Sequence, residues 1–113
     1  MPKVTIYHNP RCTKSRQTLS LLRDNEIEPE IVEYLKTPLN QEEIRQLLKK
    51  LGLSASELIR KKEHKALELP ETDDSDTLIA RMAEFPQIIE RPIVVCGRKA
   101  KLGRPPEQVL DIL

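Results

Sequence analysis

Val4-Thr5-Ile6-Tyr7-His8-Asn9-Pro10-Arg11-Cys12-Thr13-Lys14-Ser15-Arg16 changes character twice along its length. The β-branched and aromatic side chains of Val4–Tyr7 predict a strand. Asn9-Pro10 signals a turn, because the residue before proline is kept out of the helical region. From about Thr13 to Asp24 a helix is predicted, with Leu19 and Leu22 on one face and Asn25 as its stop. Cys12 therefore sits where a strand and a loop end and a helix opens. The first N–H groups of a helix have no partner within it, and with the helix dipole they favour an anion. A thiol placed there ionises more readily than free cysteine, and the same donors can cradle an oxyanion.

Outward from that stretch, Pro29 precedes a second strand near Glu30–Tyr34, and Thr37-Pro38 breaks it. Asn40 with Glu43 forms a capping-box signature ahead of Ile44, Leu47, Leu48 and Leu51, and Gly52 stands where that helix ends. Ser54 and Glu57 repeat the signature for a short helix carrying Leu58 and Ile59. Residues 61–76 are charged and poorly periodic, which predicts a surface connection. Leu78, Ile79, Met82 and Ala83 predict another helix, stopped by Pro86. Ile93–Cys96 is a third strand, Gly97-Arg98 a two-residue turn, and Lys99–Leu102 a returning strand. Gly103 breaks it, and Pro105 and Pro106 open a last helix carrying Val109, Leu110 and Ile112. The order is β-α-β, helices, then β-β-α. The first unit requires a right-handed crossover and parallel pairing. The fold class expected is α/β: a small mixed β-sheet flanked by helices. It resembles the thioredoxin-like core, with a helical insertion, roughly residues 38–86, between the second and third strands. One domain over residues 1–113 is expected.

The composition narrows the function. The chain has 113 residues, and 19 Lys+Arg against 18 Asp+Glu leave a net charge of +1. Near-neutrality argues against nucleic acid or a membrane surface as partner. No apolar run approaches the ~20 residues that span a bilayer, and the N-terminus enters a strand pattern with no signal peptide. Two cysteines do not make a disulfide scaffold, so a reducing, cytoplasmic setting is expected; a monomer is expected as well, though no residue pattern fixes the oligomeric state. Two histidines and two cysteines so far apart have no metal-ligand spacing. Yet the charge is uneven. Residues 1–23 carry Lys3, Arg11, Lys14, Arg16 and Arg23 and no acid, and the rest of the chain is net acidic. Arg11, Lys14 and Arg16 all lie within four residues of Cys12. They are candidate oxyanion binders in a field that favours a thiolate.

Each candidate also has a plainer reading. A buried, inert cysteine would sit poorly beside Arg11, Thr13 and Lys14. Ser15 occupies the place of the second cysteine in a C-x-x-C motif. It cannot form a disulfide, but its hydroxyl could donate to the Cys12 sulfur. A redox cycle must then borrow an external thiol or use Cys96, which ends an apolar strand and reads as a core or edge residue. His8 could stabilise a thiolate as an imidazolium, or only close the strand. His64, among lysines and Glu63, reads as a solvated surface residue. Arg60, Arg91 and Arg104 could be ordinary surface cations. However, Arg91 precedes Pro92 and Arg104 lies between Gly103 and two prolines, contexts that hold a guanidinium in place. Arginine binds tetrahedral oxyanions through its planar fork. Arg91-Pro92 is also a candidate cis peptide.

Three segments together resemble the arsenate reductase family that uses glutathione and glutaredoxin. They are Ile6–Cys12 with Lys14, Ser15 and Arg16, then Leu58-Ile59-Arg60-Lys61-Lys62, and finally Arg91-Pro92-Ile93-Val94-Val95 with Gly103-Arg104-Pro105. The resemblance implies that Cys12 is the nucleophile and attacks the arsenic of arsenate to give a covalent thiol–arsenate adduct. It implies that glutathione, a cosubstrate rather than a bound cofactor, attacks that adduct and that glutaredoxin completes the cycle. Arg60, Arg91 and Arg104 would hold the oxyanion, His8 would help keep the sulfur ionised, and Ser15 would add a hydrogen bond. Two other functions share the fold. One is a redox-linked transcriptional regulator that binds RNA polymerase. The other is a glutathione-dependent reductase of a different thiol or oxyanion.

Overall fold

A computed structural model describes residues 3–113. Two compact units are present: the N-terminal segment up to Thr37 together with Arg91–Leu113, and Pro38–Glu90.

The first unit is built on a four-stranded mixed sheet. Its strands are β1 (Val4–Tyr7), β2 (Glu30–Val32), β3 (Ile93–Cys96) and β4 (Lys99–Leu102), in the spatial order β2-β1-β3-β4. β1 pairs parallel with β2, and antiparallel with β3 in a register that sets Val4 opposite Cys96 and Tyr7 opposite Ile93. α1 (Thr13–Asp24) makes the crossover. Its Leu22 joins Ile6, Val94 and Val109 in a fully buried cluster, with Leu19, Ile27 and Ile112 packed against it. The chain thus has the mixed sheet flanked by helices that its element order predicts.

Two elements of this unit differ from expectation. β2 ends at Val32, because Glu33 turns the chain: its carbonyl accepts from the N–H groups of Lys36 and Thr37. Tyr34 is buried from that turn instead of extending the strand. The last segment, Pro106–Ile112, winds as a 3-10 helix. β3 and β4 join through Gly97, at φ 63°, as a two-residue turn requires.

The second unit is helical: α2 (Gln41–Leu51), α3 (Ala55–Leu58), α4 (Lys61–Ala66) and α5 (Ser75–Glu84), then a 3-10 turn at Pro86–Ile88. Ile44, Leu47, Leu48, Leu58, Leu78, Ile79, Met82 and Ile88 form its buried side. The capping box of α2 is present in full, with Glu43 N–H donating to Asn40 Oδ1 at 2.8 Å and Asn40 N–H to Glu43 Oε1 at 3.1 Å. At α3 the Glu57 carboxylate accepts from Ser54 N–H at 3.0 Å. The surface connection expected over 61–76 is corrected at its start, where α4 forms. That helix buries no residue, so it left no apolar period to read. His64 within it is half-buried, and its Nε2 lies 3.1 Å from Arg81 Nη1. The unit also runs four residues past the expected insertion boundary. Arg60 N–H donates to Ile88 O at 2.7 Å and Glu90 N–H to Leu58 O at 2.8 Å, which ties residues 86–90 to the end of α3.

Candidate functional site

Cys12 is the N-cap of α1, in extended backbone conformation (φ −93°, ψ 124°), and it is half-buried. The loop that delivers it is pinned at every step. His8 N–H donates to Val32 O at 2.9 Å, which extends the parallel pairing one residue past β1. Asn9, buried, accepts from Cys12 N–H through its carbonyl and from Arg11 N–H through Oδ1, both at 3.0 Å. Its own N–H donates to Ser15 Oγ at 3.0 Å. Ser15 is fully buried in the first turn of α1, and its Oγ lies 2.6 Å from His8 Nδ1.

The opposite wall comes from the two ends of the β3–β4 hairpin. Arg91 and Pro92 enter it through a cis peptide, and Arg104-Pro105 leaves through another. Gly103 N–H donates to Pro92 O at 3.0 Å, so entry and exit lie side by side. Arg104 Nε donates to Arg91 O at 2.7 Å, and its Nη2 reaches the Cys12 sulfur at 3.6 Å.

This setting acts on the thiol in two directions. Burial raises its pKa. The Ser15 backbone N–H, the hydrogen-bonding Arg91 guanidinium and the charges of Arg91 and Arg104 lower it, and together they prevail. The Cys12 pKa falls below its ordinary value. The result is a partly exposed, electrophile-accessible sulfur that ionises more readily than a free thiol.

The sequence-predicted residues divide accordingly. Cys12, Arg91 and Arg104 are brought together. Ser15 also meets the sulfur, but through its backbone N–H. Its hydroxyl is engaged by His8 and Asn9, which corrects the expected hydroxyl–sulfur bond. His8 is buried, and that burial lowers its pKa, with Glu33 opposing and the Arg23 and Arg16 charges assisting. At neutral pH it is therefore the neutral ring, not an imidazolium; its Nδ1 is suited to accept the Ser15 proton. Arg11 and Lys14 are exposed. Arg16 bends back over the loop, donating to Pro10 O at 3.2 Å and Thr13 Oγ1 at 3.4 Å. Arg60 belongs to the second unit, where its Nε lies 3.1 Å from Glu63 Oε2 and 3.7 Å from Glu90 Oε1.

Cys96 stands at the far end of the sheet. It pairs with Val4, at the start of β1, whereas Cys12 follows the end of that strand. A four-residue strand spans about 10 Å, beyond the ~7 Å Cα separation that a disulfide tolerates. Cys96 instead lines a groove of about 590 Å³ with Val4, Ile27, Ile112 and Leu113. Among the described residues, no cluster of His, Cys, Asp and Glu could hold a metal ion, and no helix is long and apolar enough to cross a membrane.

Two structural roles escaped the sequence reading. Asn9 carries the loop's hydrogen bonds as well as its turn. Thr18 is fully buried, and with Ser15 and Leu22 it forms the buried stripe of α1. A polar residue in helical register with Leu22 was the available signal.

A sequence model of the ArsC family matches residues 7–112. The chain is 54% identical to the uncharacterized protein YfgD of Escherichia coli K12 over 98% of its own length and 97% of the relative's. It is 46% identical to the arsenate reductase of Haemophilus influenzae, covering 97% of this chain and 98% of that one. The solved arsenate reductase of Vibrio cholerae superposes with a TM-score of 0.89 at 45% identity, covering 99% of this chain and 98% of that one.

Proposed function

The chain belongs to the ArsC family, and on that premise we propose that it reduces arsenate to arsenite with Cys12 as nucleophile. The observation that carries the reading is the Cys12 sulfur, 3.6 Å from a guanidinium at the opening of α1. A free thiol of pKa about 8.5 is only a few per cent ionised at neutral pH. Cations and an amide donor that lower this value supply more thiolate, and the same groups screen an arsenate dianion approached by an anion.

The thiolate attacks arsenic and one oxygen leaves as water after protonation, giving a thiol–arsenate adduct in which arsenic is still pentavalent. Glutathione attacks next. Two sulfurs give up two electrons and end as a disulfide, and arsenic leaves as trivalent arsenite. Glutaredoxin then returns Cys12 to the thiol. Ser15 provides for a monothiol cycle with a borrowed reductant, since it cannot act as a resolving cysteine. Arg91 and Arg104 bind the oxyanion. Arg60 is assigned the same task on the family resemblance alone, and the reading takes Pro38–Glu90 as an insertion within one cytoplasmic, monomeric domain. His8 acts by holding Ser15. Arg11, Lys14 and Arg16 add positive charge around the entrance.

The test is a coupled assay with NADPH, glutathione reductase, glutathione and glutaredoxin, run with and without arsenate. Arsenate-dependent NADPH consumption, lost in Cys12→Ser and nearly unchanged in Cys96→Ser, is expected. Turnover that survives Cys12→Ser rejects the assignment. A loss in Cys96→Ser would make that residue a resolving thiol. Absence of turnover together with co-purification of RNA polymerase would favour the regulator, and turnover of a different oxyanion or oxidised thiol would favour the other reductase.

A further inference from the structure

Arg104 reaches the sulfur from a loop, and loops do not by themselves hold a guanidinium to a fraction of an ångström. Its fixed points are therefore informative. The guanidinium is anchored at Nε by Arg91 O, at 2.7 Å. The preceding residue, Gly103, is buried and tied to Pro92 O through its N–H. A Cβ built on Gly103 would run into Thr18 Oγ1, would lie 2.8 Å from Pro92 Cγ, and would lie 3.1 Å from Thr18 Cγ2. Real Cβ atoms do not approach that closely, so the backbone at 103 rests directly on the Thr18 side chain. Thr18 is itself fixed: it is fully buried, and its Oγ1 donates to Lys14 O at 2.8 Å, in the turn that opens with Cys12.

We propose that Thr18 and Gly103 are positioning residues that set the Arg104 guanidinium on the Cys12 sulfur by docking the β4 exit against the first turns of α1. This rests on the reading of Cys12 as the reactive group. Neither residue touches the sulfur. What they fix is the separation of two rigid pieces, the helix that carries the thiol and the hairpin end that carries the arginine. One methyl group at the contact must push them apart, because the atoms met are a buried threonine and a proline ring rather than the free end of a flexible side chain.

The experiment is the rate of Cys12 alkylation by iodoacetamide against pH, in a Cys96→Ser background so that one thiol reports. It needs no arsenate, so it can fail or succeed independently of the proposed activity, which the coupled assay reads in parallel. Gly103→Ala should raise the inflection of that profile by about half to one unit, which slows alkylation by about threefold to tenfold at pH values below the inflection. In an Arg104→Met background, Gly103→Ala should slow it by clearly less, since Arg104 is gone and only the share that Arg91 carries from the same hairpin end is left to lose. A merely structural role for Gly103 would lower the melting temperature and leave the alkylation profile in place, and that result would overturn the proposal. So would full additivity of the two substitutions. Should Gly103→Ala not fold, Thr18→Val gives a second reading. It sets a methyl where Oγ1 now meets Gly103 and breaks the bond to Lys14, so it should slow alkylation in the same direction. Thr18→Ser, which keeps the hydroxyl, should recover most of that loss. Equal rates in Thr18→Val and the parent would reject the role of Thr18.

Discussion

The Ser15 hydroxyl has two claimants, and the sulfur is not among them. Asn9 N–H donates to Oγ, so the hydroxyl proton is available to His8 Nδ1, which lies 2.6 Å away. Burial keeps His8 neutral and so preserves that acceptor. The consequence is a division of labour inside one residue. The Ser15 backbone N–H serves Cys12, and its side chain braces the loop that presents Cys12. Ser15→Ala separates the two. It strands a buried ring nitrogen and a buried amide, which costs about 1–3 kcal/mol of stability, and it leaves the backbone donor in place. Urea unfolding should show the loss while the inflection of Cys12 alkylation against pH moves little. An inflection at the value of free cysteine with unchanged stability would instead mean that the hydroxyl is the group that matters to the sulfur.

At the scale of elements, local chemistry decides where helices begin and end, and the two kinds of end were not equally readable. The Asn40–Glu43 box could be read from two side chains at fixed spacing, and it forms as read. Asn40→Ala should lower stability by about 1 kcal/mol, seen as a lower melting temperature with activity retained. The end of α1 is subtler. Glu26 N–H donates to Arg23 O at 3.0 Å and Ile27 N–H to Leu22 O at 2.9 Å, the paired bonds of a Schellman ending. The residue in the left-handed conformation is Glu26, at φ 62°, where glycine is usual. Glu26→Gly should therefore stabilise the protein by up to about 1 kcal/mol, and an unchanged or lower melting temperature would contradict that. Glutamate gives no hint of such a conformation, whereas Gly52, at φ 69°, marked the end of α2. The same contrast runs through the site. Cys12 and its cationic neighbourhood were legible because they are contiguous. The arrival of Arg91 and Arg104 was not, since it depends on how a hairpin meets a helix. α4 was missed for a third reason, namely that it buries no side chain from which a period could be read.

For the molecule as a whole, the two perturbed groups of the site make stability depend on pH in one direction across two windows. The His8 pKa is lowered in the fold from its ordinary value of about 6.5. Its contribution is present above that value and is lost as the pH falls through the lowered one, because protonation then favours the unfolded chain. The Cys12 pKa is also lowered from its ordinary value, and a free thiol titrates at about 8.5. Its contribution is full above that value and is lost as the pH falls through the lowered one, because only the thiolate gains from Arg91, Arg104 and the Ser15 amide. Both effects make the folded state more stable as the pH rises. His8 acts on the acid side of neutrality, and Cys12 acts between its lowered pKa and about 8.5. Urea midpoints measured from pH 5 to 9 should follow that course. His8→Gln should flatten the acid limb, below about 6.5, and Cys12→Ser the alkaline limb, which runs up to about 8.5, with the dependence on denaturant unchanged. Added salt should blunt the alkaline limb, since the charges that stabilise the thiolate are partly open to solvent, and it should leave the acid limb nearly as steep, since that one arises from burial. An alkaline limb indifferent to both Cys12→Ser and salt would mean that the arginines do not hold the sulfur as an anion, and the nucleophile would lose its physical basis.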